Sequence, residues 1–235
     1  MVMEVIGAGL GRTGTSSFCD AMDILGYKCH HMKKLLMDPT DKSSKLFYNT
    51  FLNKSAANWD EVYEGYNACA DWTAAYFYKD LLARYPNAKV ILTERSFEDW
   101  YKSMKNTIYT AFRGANKLEP GHPRYEFREL SRKIIVDGYI EDDDKFLDVE
   151  FMRKYYDDHI KEIKEVVPAN QLYCFQLGEG WEGICKFLDK SVPEVPYPKV
   201  NSTAQFKERF NVKSIDSDTT ETSVAPVQSL KIGEC

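Results

Sequence analysis

Apolar and polar positions along this chain change repeatedly between short apolar runs and the three-to-four spacing of amphipathic helices. Val2 to Ile6 is a short apolar run ending at Gly7, long enough for a buried strand. After a glycine-rich turn, Thr15 to Leu25 carries Phe18, Ala21, Met22 and Leu25 at helical spacing, with Gly26 where a C-terminal cap belongs. Tyr27 to His30 reads as a second strand and Asn67 to Asp71 as another strand end, with an irregular helical pattern over residues 41–65 between them. Thr73 to Tyr85 is amphipathic and is stopped by Pro86. Ala88 to Thr93 is the clearest buried strand, followed by a helix over Phe97 to Ile108. Helices over Glu126–Val136 and Asp148–Val167, a strand over Gln171–Gln176 and a helix over Trp181–Leu188 complete the pattern.

Strands that alternate with helices predict an α/β fold, a three-layer parallel sheet of about five strands flanked by helices. Residues 1–212 are expected to form one domain. Beyond Pro193, Pro196 and Pro198 the chain reads as extended, and residues 213–235, rich in Ser, Thr and Asp, read as a disordered tail.

Composition narrows the function. A net charge of −5 argues against general nucleic-acid or anionic-membrane binding, so any basic pocket must be local. No apolar run approaches the ~20 residues needed to span a bilayer. Met1-Val2-Met3-Glu4 lacks a basic stretch leading an apolar core, so no signal peptide is read there. The six cysteines are scattered without a Cys-x-x-Cys pair, the usage expected of reduced thiols in the cytoplasm.

The strongest chemical signal is the turn Gly7-Ala8-Gly9-Leu10-Gly11-Arg12-Thr13-Gly14 between a strand and a helix. Glycines let backbone N–H groups converge on an anion, the helix dipole adds its positive end, and Arg12 adds a forked charged donor. Thr13, Thr15, Ser16 and Ser17 add hydroxyls. Gly9 to Gly14 also matches G-x-G-x-x-G, but the acidic residue that a dinucleotide fold needs after its second strand is replaced by His30-His31-Met32-Lys33-Lys34. A nucleoside-triphosphatase loop fails too, because Thr15-Ser16 follows Gly14 where Lys-[Ser/Thr] belongs, and AKVILT runs into Glu94-Arg95 rather than an Asp for magnesium.

Gly11-Arg12-Thr13-Gly14-Thr15-Ser16 resembles the 5′-phosphosulfate loop of sulfotransferases, with Arg12 in place of the usual lysine. The chain is similar to the P-loop sulfotransferases of family 4 from about Val5 to Phe206. The likeness includes Tyr27 to His31, Ala70-Asp71-Trp72, Ala88 to Ser103, Gly180-Trp181-Glu182 and Asn201-Ser202-Thr203. It implies a P-loop fold and transfer of a sulfuryl group from 3′-phosphoadenosine 5′-phosphosulfate to a hydroxyl or amine of a small acceptor, without a metal. It places Gly11, Arg12, Thr13, Gly14, Thr15 and Ser16 on the 5′-phosphate, and Arg95 with Ser103, eight positions on, at the 3′-phosphate. Arg12 is expected to stabilise the leaving phosphate. Asp71 falls where the family places its base, although Thr73 stands where the subfamily usually has Pro. A carboxylate serves as base when desolvation raises its pKa; helix capping by Asp71, or a His as the base, stays open.

His30 and His31 are expected to face a substrate pocket or the core, since neighbours in a strand point to opposite faces and make a poor metal pair. Trp181 and Asn201 to Thr203 are expected near the adenine or as loop anchors. Lys79, Lys102 and Lys105 read as solvated and Glu141 to Asp144 as an exposed loop. The Gly-x-x-Gly-x-x-Lys cover of typical cytosolic sulfotransferases is absent. Two other functions remain open, a non-catalytic protein that binds 3′-phosphoadenosine 5′-phosphate and an NAD(P)-dependent oxidoreductase.

Overall fold

The computed structural model describes residues 1–115, 117–200 and 202–210. Strand β1 (Val5–Gly7) runs into the glycine turn and helix α1 (Thr15–Ile24), then β2 (Cys29–His31). Helices α2 (Met32–Met37), α3 (Lys42–Leu52) and α4 (Trp59–Val62) lead to β3 (Ala68–Ala70) and α5 (Trp72–Arg84). Next come β4 (Lys89–Glu94), α6 (Phe97–Met104), α7 (Thr110–Arg113), α8 (Tyr125–Ile134), α9 (Asp143–Phe146) and α10 (Val149–Val166). Strand β5 (Leu172–Gln176), α11 (Glu182–Leu188) and α12 (Thr203–Phe210) close the described chain.

The five strands are all parallel, in the order β2-β3-β1-β4-β5. This is the expected α/β architecture. In a dinucleotide fold the first two strands are neighbours; here β3 lies between β1 and β2, so the glycine turn belongs to a different topology. Alternate strand residues feed two cores. Ile6, Cys69, Val90 and Leu92 pack on the side of α5, while Val5, Ala68, Ala70 and Ile91 pack against Phe18 and Met22 of α1 and Ile184 of α11. Strands buried on both faces read as continuous apolar runs, which is why AKVILT is so plain.

Several expected elements differ. The helix from Phe97 changes at Met104 into a π turn over Lys105–Tyr109 before α7. The Thr107 hydroxyl donates to the Ser103 carbonyl at 2.5 Å, a back-bond that accompanies the widened turn. Helix α8 stops at Ile134, because Val136, Asp137 and Gly138 all adopt left-handed φ, at 43°, 52° and 87°. Glu141 to Asp144 is not simply an exposed loop. Asp142 accepts from the Lys145 amide, Asp143 pairs with Arg113, and Phe146 is buried beneath α9. Lys79 is half-exposed but paired, bound to Glu162 across from α10. Helix α12 follows a proline run that reads as extended, and its sequence gives no warning of it. The expected tail beyond residue 212 lies outside the described residues.

Candidate active site

The glycine turn sits at the carboxyl end of the central strand, where open α/β sheets form their crevices. Helix α1 begins after Gly14, which has φ 98° and lets no side chain cap the helix. Its first amides therefore face the turn, an arrangement suited to an anion. Gly11 is required by close approach, since a Cβ there would lie 2.2 Å from Trp72 Nε1 and 2.8 Å from Asp71 Oδ1. Thr13 is committed inward. Its hydroxyl donates to the Leu10 carbonyl at 2.6 Å and meets Thr93 Oγ1 at 2.6 Å, tying the turn to β4.

The basic groups that the sequence separates into two clusters are contiguous. Arg12, at φ 74°, donates from Nε to Ser103 Oγ at 3.1 Å, and Arg95 donates to the Arg12 carbonyl at 3.1 Å. Burial lowers the Arg12 pKa to about 10, with Asp71 opposing that shift and Arg95 adding to it. The Arg12 guanidinium lies 5.1 Å from the Phe206 ring of α12, and Thr203 Oγ1 lies 3.4 Å from Ser103 Oγ. Helix α12 thus packs over Arg12 and Ser103. Asn201 lies outside the described residues. Trp181 donates to the Val195 carbonyl and packs on Tyr197, so it anchors the proline run.

Asp71 occupies the junction of β3 and α5 with φ 72° and ψ −167°. That backbone region is almost confined to glycine and costs about 1–3 kcal/mol for another residue. The side chain makes no capping bond to α5. It accepts instead from the Thr15 hydroxyl at 3.3 Å and lies 3.3 Å from His31 Nδ1. His31 Nδ1 already accepts from the Lys33 amide, so Nε2 carries the ring proton and faces Thr15 Oγ1 at 3.2 Å and Ser16 Oγ at 3.1 Å. The single lone pair of His31 Nδ1 is thus already engaged by the Lys33 amide, and a proton on the Asp71–His31 pair belongs to the carboxyl. Burial raises the Asp71 pKa to about 6, against the opposing pull of the Thr15 hydroxyl and Arg12. Burial likewise drives the His31 pKa down to about 3, helped by Lys33. His30 points the other way and stacks on Phe47 at 5.0 Å, a core residue.

Three residues that sequence reading passed over hold this arrangement. Trp100 Nε1 donates to the Gly11 carbonyl at 3.0 Å, the Tyr156 hydroxyl donates to the Arg95 carbonyl at 2.7 Å, and His159 Nε2 donates to the Ala8 carbonyl at 2.8 Å. All three sit on helices that read as ordinary core or surface. Beside the turn, between α5 and α10, opens a cavity of about 710 Å³ whose walls include Leu10, Trp72, Tyr76, Tyr155, Asp137 and His159. Among the described residues one group of possible metal ligands lies close together, Cys19, Asp20 and Asp23. There Asp20 is tied to Lys33 and Asp23 to the Cys29 amide.

A profile of the sulfotransferase domain matches residues 4–206, nearly the whole described chain. The chain belongs to the sulfotransferase family. It is also 31% identical over 211 residues to "Ava biosynthesis cluster protein M" of Aspergillus versicolor, spanning 84% of this chain and 80% of that protein. The enzyme is thus a transferase of sulfuryl groups on a small-molecule acceptor. Among its described residues, no helix of this sulfotransferase is long and apolar enough to cross a membrane.

Proposed function

We propose that this sulfotransferase takes its sulfuryl group from 3′-phosphoadenosine 5′-phosphosulfate and that the Asp71–His31 pair receives the proton of the acceptor hydroxyl or amine. The observation that carries the reading is a buried, strained carboxylate placed between a histidine and the head of an uncapped helix. The residues fit such a donor. Trp72 Nε1, beside Gly11, and Arg95 Nε are buried with no hydrogen-bond partner among the described residues, two donors open to an anion. Gly11, Gly14, Thr15 and Ser16 would hold the 5′-phosphate end, Arg95 and Ser103 the 3′-phosphate. Arg12 would lie between the two ends, with Thr13 shaping the loop.

The donor supplies an activated sulfur whose bond to a phosphate oxygen breaks as the acceptor oxygen or nitrogen bonds to it, releasing 3′-phosphoadenosine 5′-phosphate. The chain's part is orientation, charge and proton removal. With a pKa of about 6, Asp71 is ionised near neutral pH yet basic enough to accept a proton. Thr15 bonds its Oδ1, leaving Oδ2 beside His31 to take the proton. Arg12, partly desolvated, opposes negative charge growing on the leaving oxygen.

The reading is tested by transfer of labelled sulfate from the donor to a panel of small alcohols, phenols and amines. Asp71→Asn is expected to lower turnover by ~10²–10⁴ while 3′-phosphoadenosine 5′-phosphate still binds. Equal turnover in the variant would remove Asp71 from the chemistry.

A further inference from the structure

The cavity beside the glycine turn is walled by two lysines and four carboxylates, and their pairing is uneven. Lys79 is bound to Glu162, and Asp158 to Lys154, which lies outside the cavity wall. Lys54 is seated on aromatic rings, 4.4 Å from the centre of Tyr76 and 5.4 Å from Phe77. Asp80 and Asp137 have no hydrogen-bond or ion-pair partner among the described residues. The unpaired wall charge is therefore negative.

Asp137 is the better placed of the two. It lies in a run of three left-handed residues, Val136, Asp137 and Gly138, that ends α8 and turns the backbone over the cavity. A buried valine in that conformation is a genuine outlier, held only because surrounding packing fixes it. Asp137 is exposed at the cavity rim, where desolvation by the atoms around it pushes its pKa up, with Lys54 and Lys79 opposing and Glu162 adding to the shift. Tyr76 carries Lys54, while the other aromatic walls, Trp72 and Tyr155, hold flat apolar groups and attract cations.

We infer that this cavity receives the sulfuryl acceptor and selects one with a cationic amine, bound by Asp137 among aromatic walls, in addition to the group that is sulfated. The inference rests on the transferase reading only in calling the occupant an acceptor. Trp72 links the two places, since its indole lines the cavity while its Nε1 abuts Gly11 next to Asp71.

The probes are tyramine and 4-propylphenol, which share a phenol and differ in the ammonium group, titrated calorimetrically into the full chain. Tyramine is expected to bind about tenfold more tightly, the worth of one charge-assisted hydrogen bond. Asp137→Asn is expected to erase that preference, leaving 4-propylphenol affinity and melting temperature unchanged, because asparagine tolerates left-handed backbone. Equal binding of the two probes by the wild type overturns the inference, without reference to any variant. So does a preference that survives in Asp137→Asn. Labelled-sulfate transfer to the same pair separates the two readings: selective binding of tyramine without sulfation upholds the cavity's selectivity and contradicts the proposed transfer, while sulfation of both at equal rates and equal affinity does the reverse.

Discussion

At position 71 two costs coincide, a backbone conformation suited to glycine and a carboxyl group without water. Both are expected to show in stability. Asp71→Gly should be more stable than Asp71→Ala by about 1–3 kcal/mol, because alanine keeps the strain. Chemical denaturation of the two variants measures the difference. The pH dependence has a definite sign. The folded pKa of about 6 exceeds the ordinary 3.8, so Asp71 favours the folded state at low pH and disfavours it as pH rises through 6. Asp71→Asn, which has no charge to bury, is then expected to melt above wild type at pH 8, with the gap closing toward pH 4. His31 acts oppositely. Its pKa falls to about 3 from 6.5, so its contribution is present above 6.5 and lost as the pH falls toward 3. Turnover should rise through about pH 6 as Asp71 ionises, and a pH–rate profile flat between 5 and 7 would contradict the assignment.

Among the elements, the β1–α1 turn is held from three sides: by Thr93 of β4, Trp100 of α6 and His159 of α10. Trp100→Phe keeps an aromatic side chain but removes the bond to the Gly11 carbonyl. It is expected to weaken binding of 3′-phosphoadenosine 5′-phosphate by roughly three- to tenfold, the effect of one hydrogen bond of about 1 kcal/mol. Fluorescence titration of the nucleotide measures it, and unchanged affinity would show that the turn holds its shape alone. Gly11→Ala should abolish binding, since its Cβ would meet the Trp72 indole. The sequence announces this turn through its glycines and hydroxyls, and it announces β4 through continuous apolar character. It does not announce who braces the turn. Trp100 and His159 look like ordinary helix residues, because the contacts that matter are made across some 90 and 150 positions of chain. The role of His31 is hidden for a related reason: adjacent histidines at a strand end are equivalent on paper, and only the pleat sends His30 to the core and His31 to Asp71.

For the molecule as a whole, the strand order decides what the glycine turn is for. A G-x-G-x-x-G pattern is ambiguous in one dimension, and the placement of β3 between β1 and β2 removes the ambiguity. Parallel strands with alternating helices were legible from hydrophobic rhythm, whereas their lateral order depends on packing between distant segments. The same holds for the acceptor cavity, whose walls come from the glycine turn at Leu10, the 54–56 turn, α5, α8 and its following turn, and α10, segments that the sequence does not show to be neighbours. Arg12, Arg95 and Ser103, far apart in sequence, meet directly at 3.1 Å spacings, a single basic site at the end of the sheet. The central claim is that this site grips a bisphosphorylated adenosine. Calorimetric titration of the full chain with 3′-phosphoadenosine 5′-phosphate and with NAD tests it most directly. Saturable binding of the bisphosphate, weakened about ten- to hundredfold by Arg95→Ala, with no heat from NAD, is the expected result; binding of NAD alone, or bisphosphate binding indifferent to Arg95, would contradict it.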